Sequence, residues 1–245
     1  LNRRYPLPFR AFERYAYRTA AGAVAGSSTA AQVLRAKGFT NPIWTIPQFG
    51  VDEATYRLPT SPAEPPRETH PGRLRVAYAG RLIAAKGVAD LIAALETLPP
   101  GVTLDIVGDG PDAPRLIALA TAAGLAQRVT FTPWLPSAAM PAFYQRIDVL
   151  VLPSHSTPRW VEQFGRVLTE AMACGAVVVG SDSGEIPHVI GDAGLVFPEG
   201  NIDALRQRLS RVADDVPYRQ ALADAGRQRV LAHFTMRAIA DATVE

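Results

Sequence analysis

The chain carries a nearly unbroken alternation of short apolar runs and amphipathic helical stretches, a pattern that few architectures accept. RLRVAYAG (73–80), VTLDIVG (102–108), VTFTPWL (129–135), VLVLPS (149–154) and AVVVGS (176–181) read as strands, followed by a short turn, GEIPHVIG, and a strand, GLVF. Between them KGVADLIAALETL (86–98), APRLIALATAAG (113–124), AAMPAFYQRI and FGRVLTEAMACG (164–175) read as helices, and helical patterns run from Asn201 to the end. Strands without a polar face must be covered on both sides, which demands a parallel sheet between helical layers. Right-handed crossovers then wind it in both directions. The predicted fold class is α/β, a doubly wound, Rossmann-like parallel sheet. Such sheets bind ligands beyond the carboxyl ends of their strands, so function is sought in the loops that follow strands.

A shorter alternation precedes this one: a helical RAFERYAYRTA, a strand AVAGSS (23–28), a helical TAAQVLRAKG and a strand IWTIP (43–47). Residues 53–72 then turn polar and proline-rich, the composition of a linker. With 25 basic and 23 acidic residues the formal charge is +2, and no basic cluster suggests a nucleic-acid partner. Cys174 is the sole cysteine, so no intrachain disulfide can form; this fits a reducing compartment and a packed thiol inside AMACGAVVV. No stretch approaches the ~20 apolar residues that span a bilayer, and no signal peptide is visible. A cytoplasmic location is expected, at most peripheral to the inner face of the membrane. The chain begins with Leu1 instead of Met, and a processed or truncated product is expected.

The first loop of interest is AGRLIAAKG. Gly80 and Arg81 follow a strand and Lys86 with Gly87 open the next helix. Two cations five residues apart can converge on one diphosphate, the guanidinium as a planar fork and the ammonium as a mobile charge. The plain alternative is a solvated Arg and a Lys in a first helical turn, where the helix dipole disfavours it.

The second loop, VGDGPDA (107–113), satisfies G-x-G-x-x-A through Gly108, Gly110 and Ala113. A dinucleotide site would also need an acidic residue at the end of the next strand, and VTFTPWL ends without one. Pro111 and Asp112 read equally well as a turn and helix start.

The third is the stretch HSTPRWVEQFGRVLTEAMACG, with seven residues between Glu162 and Glu170. Gly165 opens a helix without a side chain in the way, and the free N–H groups of such a start suit a phosphate. Glu170 stands five residues on, roughly 7–8 Å along the axis. That is near the span from a diphosphate to the far edge of a ribose, whose two hydroxyls one carboxylate can accept. Glu162 would face the sugar. The competing reading pairs Glu170 with Arg166 on a helix surface, worth about 0.2–0.5 kcal/mol.

GRLIAAKG, VGDGP, EQFGRVLTEAMACG and SDSGEIPHVIGDAGLV together resemble the donor-binding, C-terminal half of family 4 glycosyltransferases of the GT-B fold. IPQFGVD (46–52) resembles that family's interdomain hinge. Phe49 stands where the hinge usually has Asn, and Ala176 where a Pro is common after Gly175. The resemblance covers the chain from about Ser27 onward. It implies that Arg81 and Lys86 hold a donor diphosphate beside Gly80. It implies that Glu170 binds the ribose and that Glu162, with the backbone of Gln163, Phe164 and Gly165, meets the donor sugar and phosphate. The catalytic candidates are Glu162, Arg81 and Lys86. The implied domains are 1–47, the remnant of an acceptor-side N-terminal domain; 48–72, hinge and linker; 73–230, the nucleotide-sugar-binding domain; and 231–245, a C-terminal helix returning toward the N-terminal half. Phe234, Met236 and Ile239 of that helix would rest on the remnant or form an exposed patch.

The implied activity is transfer of a sugar, with retention, from a UDP- or GDP-linked donor to a sugar or lipid acceptor. Fixed cations and helix N–H groups stabilise the charge that builds on the leaving phosphate, so no metal or other cofactor is required. No D-x-D pair occurs; Asp109 and Asp182 read as turn residues. His70, His155, His188 and His233 show no ligand spacing, and His155 reads as a solvated loop residue. The chain alone is expected to bind donor and transfer little, for want of an N-terminal half or an oligomeric partner to supply the acceptor wall. Two other readings remain: a non-catalytic nucleotide-sugar-binding module and an NAD-dependent oxidoreductase using VGDGPDA. A sugar epimerase or phosphorylase can share the fold.

Overall fold

The computed structural model describes residues 6–59, 70–158 and 160–244. Ten residues of the proline-rich linker, 60–69, lie outside the described part. Six strands form one parallel sheet: β3 (Leu74–Ala79), β4 (Val102–Val107), β5 (Val129–Thr132), β6 (Val149–Leu152), β7 (Val177–Ser181) and β8 (Leu195–Phe197). Their spatial order is β5-β4-β3-β6-β7-β8. The direction of winding therefore reverses between β3 and β6, which pair through Val76↔Val149 and Ala77↔Leu150. Crossover connections leave in opposite directions from that point and open a crevice above the strand ends.

Apolar continuity follows position in the sheet. Every residue of β6 and β7 is buried, whereas the outer β4 and β5 keep exposed positions at Thr103 and Thr130. Helices α3 (Val88–Leu95), α4 (Ala113–Ala122) and α8 (Ile202–Asp214) form one contacting set, and α5 (Met140–Arg146), α6 (Arg166–Ala173) and α9 (Val216–His233) another. Cys174 is fully buried in the core these layers enclose. The segment GEIPHVIG, expected as a turn, contains a short helix, α7 (Ile186–Ile190), whose Ile186, Val189 and Ile190 are buried. Five residues are too few to show a helical period, which hid it in the sequence.

Two smaller strands, β1 (Ala23–Ala25) and β2 (Ile43–Thr45), pair in parallel around α2 (Ser28–Ala36), preceded by α1 (Leu7–Thr19). A buried carboxylate ties this unit to the large sheet's side. Glu185 accepts from the Ser28 backbone N–H at 3.0 Å and from its hydroxyl at 2.9 Å. A carboxylate there answers both the orphan N–H groups and the positive end of α2. At the hinge, Val51 donates to Phe234 O and accepts from Met236 N, a parallel bridge with the chain's last crossing. The terminal helical stretch is broken at that point, α9 ending at His233 and α10 (Met236–Val244) beginning three residues later. Phe234 is buried there while Met236 is 62% exposed. No helix of the described residues is long and apolar enough to cross a membrane.

Candidate functional site

The end of β3 is built by Tyr78. Its ring is fully buried and its hydroxyl donates to the Arg81 carbonyl at 2.8 Å, turning the chain at Gly80. Burial raises the phenol's pKa well above its ordinary value, so it stays a donor. Lys86 closes a single 3-10 turn, Ala84–Lys86, and Gly87 follows with φ +67° as the residue before α3. A side chain at Gly87 would lie 1.8 Å from the Pro153 carbonyl oxygen, so glycine lets the β3 and β6 loops touch. From the β6 side His155 ties the same loops together, its N–H donating to Ala85 O and its Nε2 lying 2.6 Å from Asp90 Oδ2 in the first turn of α3. His155 is thus a structural partner of Asp90; the expectation of a solvated histidine missed a residue 65 positions away.

Lys86 Nζ meets Glu162 Oε2 at 2.5 Å, both side chains largely buried. The same oxygen accepts from Ser154 Oγ at 2.9 Å, and the Trp160 ring centroid lies 4.8 Å from the ammonium. Glu162 is therefore the internal counter-ion of Lys86 as well as the residue beside it. Arg81 stays exposed at the mouth. Together Gly80, Arg81, Lys86, Glu162, Gln163 and Gly165 line one cleft above the β3–β6 junction. Gly165 precedes α6 with φ +77°, and Arg166 and Val167, the first residues of that helix, also line the cleft.

Ala79, Gly80, Arg166 and Val167 also line a second pocket, so the two adjoin. Its floor is Glu170. That carboxylate accepts from Tyr144 Oη at 2.9 Å and pairs with Arg166 Nε at 3.0 Å. Burial raises its pKa; hydrogen bonds from Tyr144, Arg166 and Tyr56 pull the other way. The Arg166 pair expected from the i,i+4 spacing is present, but Glu170 is 7% exposed, not on an open helix surface, and it lines a pocket. The far wall holds Trp134, Leu135 and Met140.

Phe164 behaves otherwise. Its ring turns away from the cleft and packs between Phe49 (6.3 Å) and Phe234 (5.8 Å), so only its backbone can serve a ligand. Gly108 and Gly110 have a different origin from a dinucleotide fingerprint. A side chain at Gly108 would lie 1.9 Å from Gly80 O, and one at Gly110 2.3 Å from Leu82 O. These glycines let two protein loops pack, and neither lines either pocket. Asp109 and Asp182 are turn residues, accepting from the N–H groups of Gly110 and Glu199. Among the described residues no three His, Cys, Asp or Glu side chains gather as a metal site.

The family model described as "Glycosyl transferases group 1" matches residues 62–229, more than half of the chain. The chain belongs to the group 1 glycosyltransferases. It is 36% identical over 165 residues to 2-deoxystreptamine N-acetyl-D-glucosaminyltransferase of Streptomyces fradiae, covering 64% of this chain and 36% of that protein. It is 34% identical over 206 residues to glycogen synthase of Mycobacterium tuberculosis, covering 82% and 47%. The chain thus spans between a third and a half of these curated relatives. Among solved structures, Anabaena Alr3699/HepE in complex with UDP superposes with TM-score 0.82 at 23% identity, over 96% of this chain and 66% of that one. The fold is the GT-B glycosyltransferase half that the motifs suggested.

In this group 1 chain the sequence had singled out the charged residues of the cleft but not their supports. Tyr56, Tyr144, Ser154 and Trp160 carry no motif of their own. Trp134, 64% exposed, had one usable signal, a large apolar residue just past the end of a strand.

Proposed function

We propose that this chain forms the donor-holding wall of a retaining glycosyltransferase that takes a UDP- or GDP-linked sugar. The observation that carries the reading is the adjacency of two pockets: Arg81, Lys86 and Glu162 line one, Glu170 lines the other, and the first residues of α6 line both, an arrangement that would suit a diphosphate in the first and a ribose in the second.

Arg81 and Lys86 would grip the diphosphate with the N–H groups at the start of α6. These charges are fixed before the sugar–phosphate bond breaks, so they stabilise the leaving diphosphate without reorganising. Binding would draw Lys86 from Glu162 toward phosphate and free a Glu162 oxygen for a sugar hydroxyl; Ser154 would keep the carboxylate in place. Glu170 would accept the ribose hydroxyls, with the base lying toward Trp134, Leu135 and Met140. The relatives' names describe hexosyl transfer, which supports a hexosyl donor. The acceptor, a sugar or a lipid, would need a second wall, so little transfer is expected from this chain alone. An assay with its best-binding sugar nucleotide and a panel of acceptors checks this, and full transfer would overturn it.

The reading is tested at Glu170. Glu170→Gln is expected to weaken binding of UDP or GDP while leaving inorganic diphosphate nearly unchanged. A 2′,3′-dideoxy nucleotide should then bind wild type and variant alike in calorimetric titrations. A variant that still discriminates against the dideoxy form as strongly as wild type would remove Glu170 from the ribose site.

A further inference from the structure

Glu185 holds two parts of the molecule at once. Its carboxylate accepts from the Ser28 N–H and hydroxyl at the start of α2, in the small β1–β2 unit. Its own N–H donates at 3.0 Å to the carbonyl of Glu162, a residue of the cleft above the β3–β6 junction. Gly184 brings these two loops into contact. A side chain there would lie 2.0 Å from the Glu162 carbonyl oxygen, and φ is +56°. Glu162 in turn lines two spaces: the cleft that holds Lys86, and a pocket against α2 walled by Ser27, Thr29 and Ala30.

Beyond Glu185 the chain is anchored to the large sheet's side. Ile186, Val189 and Ile190 of α7 are buried. Arg229 of α9 donates to Val189 O at 2.9 Å and to His188 O at 2.6 Å. Glu185 itself is 6% exposed, and a carboxylate so buried is costly without donors. If α2 withdraws Ser28, the carboxylate is left with longer contacts to Thr29, at 3.5 Å, and must turn toward water. Because α7 is fixed, that movement falls on the Gly184–Glu185 turn, and the N–H that tethers Glu162 moves with it.

We propose that Glu185 is a positioning residue for donor-sugar binding: with its carboxylate seated on Ser28, its N–H fixes Glu162 in the cleft, and when the small unit leaves, Glu162 is released. The proposal rests on the reading of Glu162 as the contact to the donor sugar. Glu185 need touch neither sugar nor phosphate.

The test is Ser28→Pro, which deletes both short bonds to Glu185 at little cost to α2. Ser28 is the first residue of that helix, where proline is favoured. Ser27 already has the extended backbone that precedes proline, and its hydroxyl still accepts from Ala30 N. UDP, GDP, UDP-glucose and GDP-mannose are titrated calorimetrically. Ser28→Pro is expected to lower the affinity for the sugar nucleotide relative to its parent nucleotide about fivefold, the size of one lost hydrogen bond, with UDP and GDP binding unchanged. Adding Glu185→Ala removes the stranded carboxylate and should restore most of that ratio, which a mere loosening of the small unit would not allow. A readout without ligand is hydrogen exchange: the Glu185 amide should exchange faster in Ser28→Pro while the amides of β3 do not. A ratio equal to wild type, equal weakening toward nucleotide and sugar nucleotide, absence of rescue, or an unmoved Glu185 amide would each overturn the proposal. Glu162→Gln separates it from the reading beneath it. If Glu162→Gln lowers the ratio and Ser28→Pro does not, the coupling alone fails; if Glu162→Gln leaves the ratio unchanged, the sugar assignment fails, and the exchange of the Glu185 amide still decides the tether.

Discussion

Lys86→Ala is expected to weaken UDP or GDP binding by at least tenfold, and by more than Arg81→Ala does. A charge-assisted contact contributes about 1.5–3 kcal/mol, and each 1.4 kcal/mol is about tenfold in affinity. The ranking comes from Glu162. In wild type its charge is answered by Lys86 at 2.5 Å in a place where both side chains are mostly buried. Without the lysine, Glu162 keeps, among the described residues, only the Ser154 hydroxyl, and its negative charge stands directly before the incoming diphosphate. Arg81 is exposed and, among the described residues, has no such ion pair, so removing it uncovers no counter-charge there. Adding Glu162→Gln to Lys86→Ala should therefore recover part of the lost affinity, whereas adding it to Arg81→Ala should not. Calorimetric titration of the four variants checks this, with urea midpoints to confirm that each is folded. Wild-type affinity in both single variants would remove the diphosphate from this cleft.

Gly87→Ala is expected to cost about 3 kcal/mol or more of stability. Two causes add. Its φ of +67° is one that alanine adopts only with strain, and the new methyl would sit 1.8 Å from the Pro153 carbonyl oxygen. Gly124→Ala separates them, because φ there is +71° but no atom lies within 4 Å of the added carbon. Gly124→Ala should lose about 1 kcal/mol and Gly87→Ala clearly more, a drop in melting temperature of roughly 6 °C or more for a chain of this size. Equal losses at the two sites would show that the β3 and β6 loops yield to the methyl and that their contact is soft.

The sheet was legible because buried parallel strands leave runs such as VLVLPS and AVVVGS that no other class explains. The candidate cleft was legible where a residue's place depends on its own loop: Arg81 and Lys86 after β3, Gly165 before α6, and Glu170 one turn into it. What stayed hidden are contacts between loops. Gly108 looked like a ligand's glycine because a close approach by Gly80 O leaves the same mark in sequence as a close approach by a phosphate. His155 gave no hint of Asp90, nor Glu170 of Tyr144. The direction of Phe164 was set by Phe49 and Phe234, residues more than 60 positions away on the C-terminal side and more than 110 on the other.

The Glu185 cap on α2 has a consequence for anyone who would recombine relatives. A chimera cut at Val51 inherits Ser28 from one parent and position 185 from the other. If the second parent lacks a carboxylate there, the Ser28 N–H loses its acceptor while Ser27 Oγ still accepts from Ala30 N, at a cost of about 0.5–2 kcal/mol. The hinge is thus the natural place to cut the chain but not a neutral one. Ser28 and Glu185, 157 residues apart, behave as a single inherited unit, and a breeding scheme for new specificities does best to move them together.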